Sequence, residues 1–505
     1  MRQTRLVVPF LLLAACAEPT DPAGWARAAG KRNRVPEKLE ALQRVRQVPG
    51  DRKAAVPWLV ALLRETPRVR AEAAELLGEF GDAEAAKPLI AAIDVSGTAE
   101  RQVEVNEANR KIATALGALR AREAVPALIG LTRSRDGFTQ VAAVDALGDI
   151  GDPAAVEPLA ALARDDGVDP FASKKALQAL GKIGDPRPTR TILEMLYRER
   201  RGASFFPEAA LAAYLVGPPM VDPLLRVLRA EDRELLAWAR GNGVVEGALY
   251  AKAAQVLGDL GDARAIPALV ARLSYRDRMP EVEILVRVYA AESLGRLRAR
   301  EAVRPLGELL LSERNPDARD RYADALARIG DRAAIPALAR ACRVGGWAEH
   351  SGAAQALSRI GGEGEKGEVA AAARAAPPAE AARLRARLAA AAECREDLAC
   401  WTRKLGDKDP GVRDRAALEV GRRGGAAQAE ALVAAATLPV DGDEDLAGRY
   451  HAVLALGWVT ARGVPGGAAL AGKLQAVVER ERARNFTAKV NEDLERLAMR
   501  LRRAR

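Results

Sequence analysis

The sequence predicts an all-α protein, an α-solenoid (α-α superhelix) in which short helical hairpins stack one on the next, and three observations predict it. Its 505 residues exceed what one compact core accommodates. Apolar residues make up 49% of the chain but aromatics only 4%, so the interior is built from small side chains, mainly Ala, Leu and Val. Ala and Leu are good helix formers, and small residues suit helices packed close together. Above all, one phrase recurs at intervals of about thirty to forty residues.

The phrase closes each unit as Leu77-Gly78-Glu79-Phe80-Gly81-Asp82, Leu147-Gly148-Asp149-Ile150-Gly151-Asp152, Leu180-Gly181-Lys182-Ile183-Gly184-Asp185, Leu257-Gly258-Asp259-Leu260-Gly261-Asp262 and Leu326-Ala327-Arg328-Ile329-Gly330-Asp331. A second phrase opens the next unit, as in Ala155-Val156-Glu157-Pro158-Leu159, Ala265-Ile266-Pro267-Ala268-Leu269 and Ala334-Ile335-Pro336-Ala337-Leu338. Each part has a physical reason. The last Gly of the phrase ends a helix in the left-handed conformation, and the Asp after it caps the free amides of the next element. A proline a few residues on has no amide proton to leave unpaired, so it belongs near a helix start.

Between these stops the apolar residues follow helix periodicity: Val69, Ala73, Leu76, Leu77 and Phe80 form one stripe, while Arg70, Glu72, Glu75 and Glu79 point elsewhere. Glycines at 78, 117, 148, 181, 217, 258 and 295 recur inside the predicted helices, where they cost propensity. Their recurrence implies a neighbouring helix that approaches too closely for a side chain. A lone hairpin of this size cannot bury its apolar face, so neighbours must stack.

With Leu-Gly-x-Ile/Leu-Gly-Asp followed by Ala-Ile/Val-Pro-x-Leu, the chain from Asp51 to about Gly361 resembles the HEAT-like repeats named after phycobilisome lyases. The resemblance implies a scaffold shared by lyases, hydroxylases, adaptors and bacterial lipoproteins, and so implies a fold rather than an activity.

The N-terminus carries an address. Arg2 and Arg5 precede the apolar run Leu6–Leu13, which is too short to cross a bilayer, and Leu13-Ala14-Ala15-Cys16 follows at once. This segment resembles a bacterial lipoprotein signal, in which Cys16 becomes the lipidated first residue and its acyl chains hold the protein at a membrane. In the lipoproteins it resembles, Ala17 rather than Asp after the cysteine points to the outer membrane. The expected location is therefore the bacterial cell envelope, as an outer-membrane lipoprotein facing the periplasm. Residues 1–15 read as the signal peptide, 16–38 as a tether and 39–361 as the HEAT-like array. Residues 362–392 read as a linker or degenerate repeat, 393–471 as degenerate C-terminal repeats, and 472–505 as a charged C-terminal helix.

Cys394 and Cys400 lie six apart in a compartment that permits disulfides, so a local bridge is expected, and it requires a turn between them because six residues of unbroken helix would point the thiols apart. Turns between units are compressed to Gly-Asp, whereas turns inside units are long. Inserted material thus falls on one rim, where arrays elaborate contact surfaces. Phe138, Phe171, Phe205, Phe206, Trp238 and Tyr275 lie in or beside those turns and are the candidate binding rim, with Trp238 the candidate exposed anchor and lids on the core as the alternative role.

The inventory of chemistry is thin. No Gly-x-Ser-x-Gly elbow, phosphate loop or Cys-x-x-Cys occurs, and the only histidines are His350 and His451. Hydroxylases that share this scaffold hold iron with several His-Glu pairs, and here Glu349-His350 stands alone. No catalytic residue, metal or cofactor is expected. The net charge of +10 suggests nucleic acid or an anionic polymer, but the basic residues are interspersed with acids and the export signal points away from chromosomal DNA. The expected role is a non-catalytic scaffold for envelope proteins held at a membrane by its lipid. Anionic-polymer binding and a lyase-type accessory role are the alternatives.

Overall fold

The computed structural model describes residues 18–96, 101–438, 443–461, 467–482 and 488–503. Cys16 and the signal segment lie outside them. The described chain is helical apart from one two-stranded antiparallel hairpin, Glu199–Arg200 with Ala203–Ser204, so the fold is the all-α solenoid that the repeats predict. It forms two compact units that part between Ile183 and Gly184, inside the stretch read from sequence as one array.

The unit ending at Ile183 shows the repeat at its plainest. The long helices Pro67–Phe80, Gln102–Ala118, Gly137–Ile150 and Pro170–Ile183 pack side by side in chain order, each paired with a short helix. The closing phrase works as its residues require. Gly81 and Gly151 stop their helices at φ +71 and +72, and Asp82 and Asp152 each accept a backbone N–H two residues on, at 2.9 Å, starting a 3-10 turn that leads into the next short helix. Inside the long helices, a side chain at Gly78, Gly117 or Gly148 would sit 2.8–3.0 Å from the Cα of Ala115, Ala146 or Ala179 on the next long helix. These glycines set the stacking distance. Gly217 differs: it follows the Phe206–Val216 helix at φ +80 with open space around it, and so is a stop rather than a spacer.

Residues 22–38 are not a tether. Pro22–Lys31 and Val35–Gln47 form a first hairpin, capped by Asp21, whose carboxylate accepts from the Gly24 amide at 2.7 Å. Trp25, Ala26 and Ala29 are buried with Ala41, Leu42 and Val45, a three-and-four spacing that the surrounding Arg and Lys residues obscure.

In the unit from Gly184 onward, the long helices Phe206–Val216, Glu246–Leu260, Pro280–Leu297, Pro316–Ile329, Trp347–Ile360, Pro378–Cys394, Pro410–Arg423, Asp443–Thr460 and Ala488–Arg503 follow one another. Residues 362–392 belong to this series as a true hairpin, Lys366–Ala373 with Pro378–Cys394. The segment read as one charged C-terminal helix is a further hairpin. Gly467–Arg482 pairs with Ala488–Arg503, burying Leu470, Leu474 and Val478 with Leu494, Leu497 and Leu501. The Ala488–Arg503 helix packs on Asp443–Thr460 and also on Phe206–Val216, so this unit closes on itself.

Cys394 and Cys400 are joined as a disulfide with Cα atoms 5.3 Å apart, across the turn between the Cys394 helix end and the Leu398–Lys404 helix. Both sulfurs are buried beside Trp401. Closing so short a loop stabilises by about 2 kcal/mol in the chain-entropy account. Replacing both cysteines by Ala is therefore expected to lower urea stability by about that amount, read as a shift in midpoint at unchanged slope.

Candidate functional site

Three places carry functional side chains. The first is an edge of the unit ending at Ile183. Val103, Phe138 and Phe171 are each the second residue of three consecutive long helices, and they are 78%, 73% and 56% exposed. N-cap hydrogen bonds fix the last two: Asp136 accepts from the Thr139 amide at 2.8 Å, and Asp169 accepts from the Phe171 amide at 2.8 Å. Cations flank the rings, with the Arg110 guanidinium 5.5 Å from the Phe138 centroid and the Lys175 ammonium 5.7 Å from that of Phe171. Arg101, Arg133 and Arg135 are exposed close by in sequence.

Elsewhere on these helices, charge is paired from one repeat to the next. Arg46 meets Glu79 at 2.8 Å, Lys111 meets Glu75 at 2.8 Å, Lys175 meets Asp145 at 3.1 Å and Lys182 meets Asp149 at 2.7 Å. Such pairs add little stability. They do remove these cations from any continuous basic stripe.

The other rim candidates fare differently. Phe205 is a core residue, 1% exposed: its N–H bonds back to the Arg198 carbonyl across the small hairpin and Arg200 lies over its ring, so the side chain turns inward. Phe206 is half-buried beneath the Lys252 ammonium, 5.3 Å from the ring centroid. Trp238 is half-buried on the extra helix Arg233–Gly241 rather than a bare anchor. Tyr275 is half-buried, stacked edge-on against Tyr250 at 5.6 Å, and donates to Asp277 at 2.6 Å.

The second place is a buried ionic centre where the unit from Gly184 closes. Asp414, 1% exposed at its side chain, accepts from Arg359 at 2.8 Å and Arg387 at 2.9 Å through one oxygen and from His451 Nδ1 through the other. Arg359 also reaches Asp324 at 3.3 Å, and Arg328 pairs with the same carboxylate. Arg415 donates to the carbonyls of Ser358 and Gly361, both at 2.7 Å. Burial pushes the Asp414 carboxyl up, but Arg359, His451 and Arg387 together outweigh it and hold it well below the usual range. Burial pushes His451 down, and Asp414 offsets this only in part. The carboxylate can only accept, so His451 donates its Nδ1 proton to Asp414.

No reading of the sequence singled out this centre, though a signal exists. The variable position of the closing phrase holds Asp259, Arg296, Arg328 and Arg359 along this unit, an unusual density of charge at a position facing other helices. The second histidine, His350, is buried edge-on against Trp347, while Glu349 turns away to accept the Gly346 amide at 2.8 Å. Glu393, Cys394 and Cys400 also lie together, but the sulfurs are in the disulfide and Glu393 takes Lys404 at 2.9 Å.

The third place is a cleft of about 220 Å³ between the Glu246–Leu260 and Pro280–Leu297 helices and the returning Asp443–Thr460 and Ala488–Arg503 helices. Its walls are pinned: Trp458 Nε1 donates to the Arg296 carbonyl at 2.7 Å, and Asp259 takes Arg296 on one oxygen and Arg496 on the other.

Comparison with known proteins agrees with this architecture. Residues 104–173 and 279–358 match HEAT repeats, and residues 69–94 and 249–275 match the PBS lyase HEAT-like repeat. No curated protein sequence matches the chain. Among solved structures, the complex of CpcE and CpcF of phycocyanin lyase from Nostoc is 23% identical, covering 54% of this chain and 94% of that one, with a TM-score of 0.29. Human deoxyhypusine hydroxylase is 18% identical over 55% of this chain and 96% of its own, with a TM-score of 0.23. Importin beta is 12% identical over 95% of this chain and 74% of its own, with a TM-score of 0.39. The chain is an all-α solenoid in which segments of each of its two units match HEAT repeats and PBS lyase HEAT-like repeats.

Proposed function

We propose that the protein is a non-catalytic scaffold that holds a protein partner in the bacterial cell envelope, anchored through lipid on Cys16. The observation that supports it best is the edge formed by Val103, Phe138 and Phe171. Three large apolar side chains left in water at the same register of consecutive repeats carry a cost that a partner's cover would remove. Membrane anchoring rests on the sequence Leu13-Ala14-Ala15-Cys16.

Binding nucleic acid through a basic groove finds less support. In the unit from Gly184, Arg296, Arg328, Arg359 and Arg387 are spent on Asp259, Asp324 and Asp414, and the cations between repeats of the other unit pair with carboxylates. The cations so paired are not available to line a phosphate track.

The test uses the lipidated chain as bait in envelope membranes. Phe138→Asp with Phe171→Asp is expected to weaken partner capture by about tenfold or more, while unfolding stability moves by no more than about 0.5 kcal/mol because both rings are exposed. Undiminished capture by that double variant would count against the edge. Cys16→Ser is expected to shift the protein from the membrane to the soluble fraction, and unchanged membrane association would remove the anchoring part of the proposal. Excising the Ala230–Glu246 insert is a poorer test, because Leu235, Leu236 and Ala239 on its helix are buried.

A further inference from the structure

The cleft at the closure of the second unit has more cationic than anionic groups on its walls. Asp259 and Asp493 face Arg296, Arg496 and Arg500. Asp259 is saturated, since Arg296 and Arg496 occupy its two oxygens, and Asp493 lies 3.8 Å from Arg496. Arg500 is left with an aromatic partner: its guanidinium sits 5.7 Å from the Tyr214 ring centroid, and no carboxylate among the described residues pairs with it. Arg500 is exposed at this point, so an incoming anion reaches it without a conformational change.

The rest of the wall is apolar and aromatic. Tyr450, Trp458, Leu297 and Leu497 line it from sequence-distant helices; the Trp458 indole nitrogen is already satisfied, and Arg298 and Arg328 lie over the Trp458 and Tyr450 rings at 5.3 and 5.1 Å. A second cavity of about 280 Å³ shares Tyr214, Leu260 and Arg500 with the first and continues over Val216, Pro218, Val221 and Asp262, whose carboxylate is taken by Arg264 at 2.8 Å. A cavity of about 150 Å³ already accepts a benzene-sized body. The two together suit a compact organic molecule with one charged end.

We propose that this cleft binds a small amphiphilic monoanion, a carboxylate or sulfonate carried on an aromatic or short aliphatic body. Arg500 holds the anion, and Tyr450 and Trp458 line the space for the body. A guanidinium takes a carboxylate by two parallel N–H donors. The inference is independent of the Val103–Phe138–Phe171 edge and stands or falls without it.

Calorimetric titration of the full chain with 4-phenylbutyrate and with its neutral isostere 4-phenylbutanol tests it. The acid is expected to bind about tenfold or more tightly than the alcohol. Arg500→Gln is expected to reduce acid affinity to that of the alcohol, and Arg500→Lys to retain a preference for the acid. Equal binding of acid and alcohol to the unmodified chain, no binding of the acid at millimolar concentration, or unchanged acid affinity in Arg500→Gln would each overturn the proposal. The first two outcomes need no variant, so they decide the matter even if a substitution at Arg500 disturbs the terminal hairpin.

Discussion

Replacing Asp414 by Ala is expected to destabilise the unit from Gly184 onward by about 3–5 kcal/mol, among the largest effects of any single substitution in the chain. The carboxylate is the shared acceptor of Arg359, Arg387 and His451, and all four side chains are buried. Removing it leaves two guanidiniums in a low-dielectric interior with part of their donors unpaired, and the cost of an uncompensated buried charge exceeds what the pair contributed when intact. Asp414→Asn is the sharper variant. It keeps the shape and an acceptor oxygen but not the charge, so a loss close to that of Ala assigns the effect to electrostatics. Urea denaturation with unchanged slope measures both, and a loss under about 1 kcal/mol for either variant would mean that the centre is solvated in solution.

The same centre makes stability depend on pH, with one sign for both titrating groups. His451 has a folded pKa below its ordinary 6.5, so below about that pH the unfolded chain binds a proton that the folded chain refuses. Stability therefore falls as pH drops from about 6.5 toward the folded value. Asp414 has a folded pKa well below its ordinary 3.8, so its contribution is intact above that value and is lost as the solution is acidified through and beyond it. Acid thus destabilises in two stages, and neither group adds loss on the alkaline side. His451→Gln is expected to remove the first stage, making the urea midpoint flat between about pH 7 and pH 5 where the parent chain declines.

What the sequence made legible is local. The Leu-Gly-x-Ile-Gly-Asp phrase specifies a helix stop, a cap and a spacing glycine within six residues, and at Gly151, Asp152 and Gly148 each is found where it was read, because capping and close approach depend on neighbours no further than one repeat away. The Pro22–Lys31 helix is not legible because its stripe, Trp25, Ala26 and Ala29, is short and set among cations, which composition reads as polar. The ionic centre and the cleft were missed for a different reason. They arise where helices far apart in the chain meet, as Arg422 meets Ala327 and Trp458 meets Arg296, and no period of thirty to forty residues encodes that meeting. Phe138 and Phe171 were recognisable by their place in the long turns, whereas Phe205 in a similar turn is core, since only the backbone of the small hairpin decides which way it points.

Gly330→Ala is expected to cost about 3–4 kcal/mol, whereas the same change at Gly261, in the same phrase and the same unit, costs about 1–2 kcal/mol. Both glycines end their helices in the left-handed region, at φ +73 and +74, and an L-residue pays a similar backbone penalty at either. They differ in what lies beyond. A side chain on Gly261 meets open space, whereas one on Gly330 would come within 2.2 Å of Arg422 Nε and 2.4 Å of its Cζ. Arg422 cannot easily yield, because its side chain is only 9% exposed, bonded to the Ala327 carbonyl and 3.4 Å from Glu419. The extra loss at Gly330 therefore measures the long-range closure separately from the repeat. In an Arg422→Ala background the two glycine substitutions are expected to cost the same, giving a coupling of about 2 kcal/mol between Gly330 and Arg422. Equal costs in the parent background would instead show that Arg422 does not rest on Gly330 in solution.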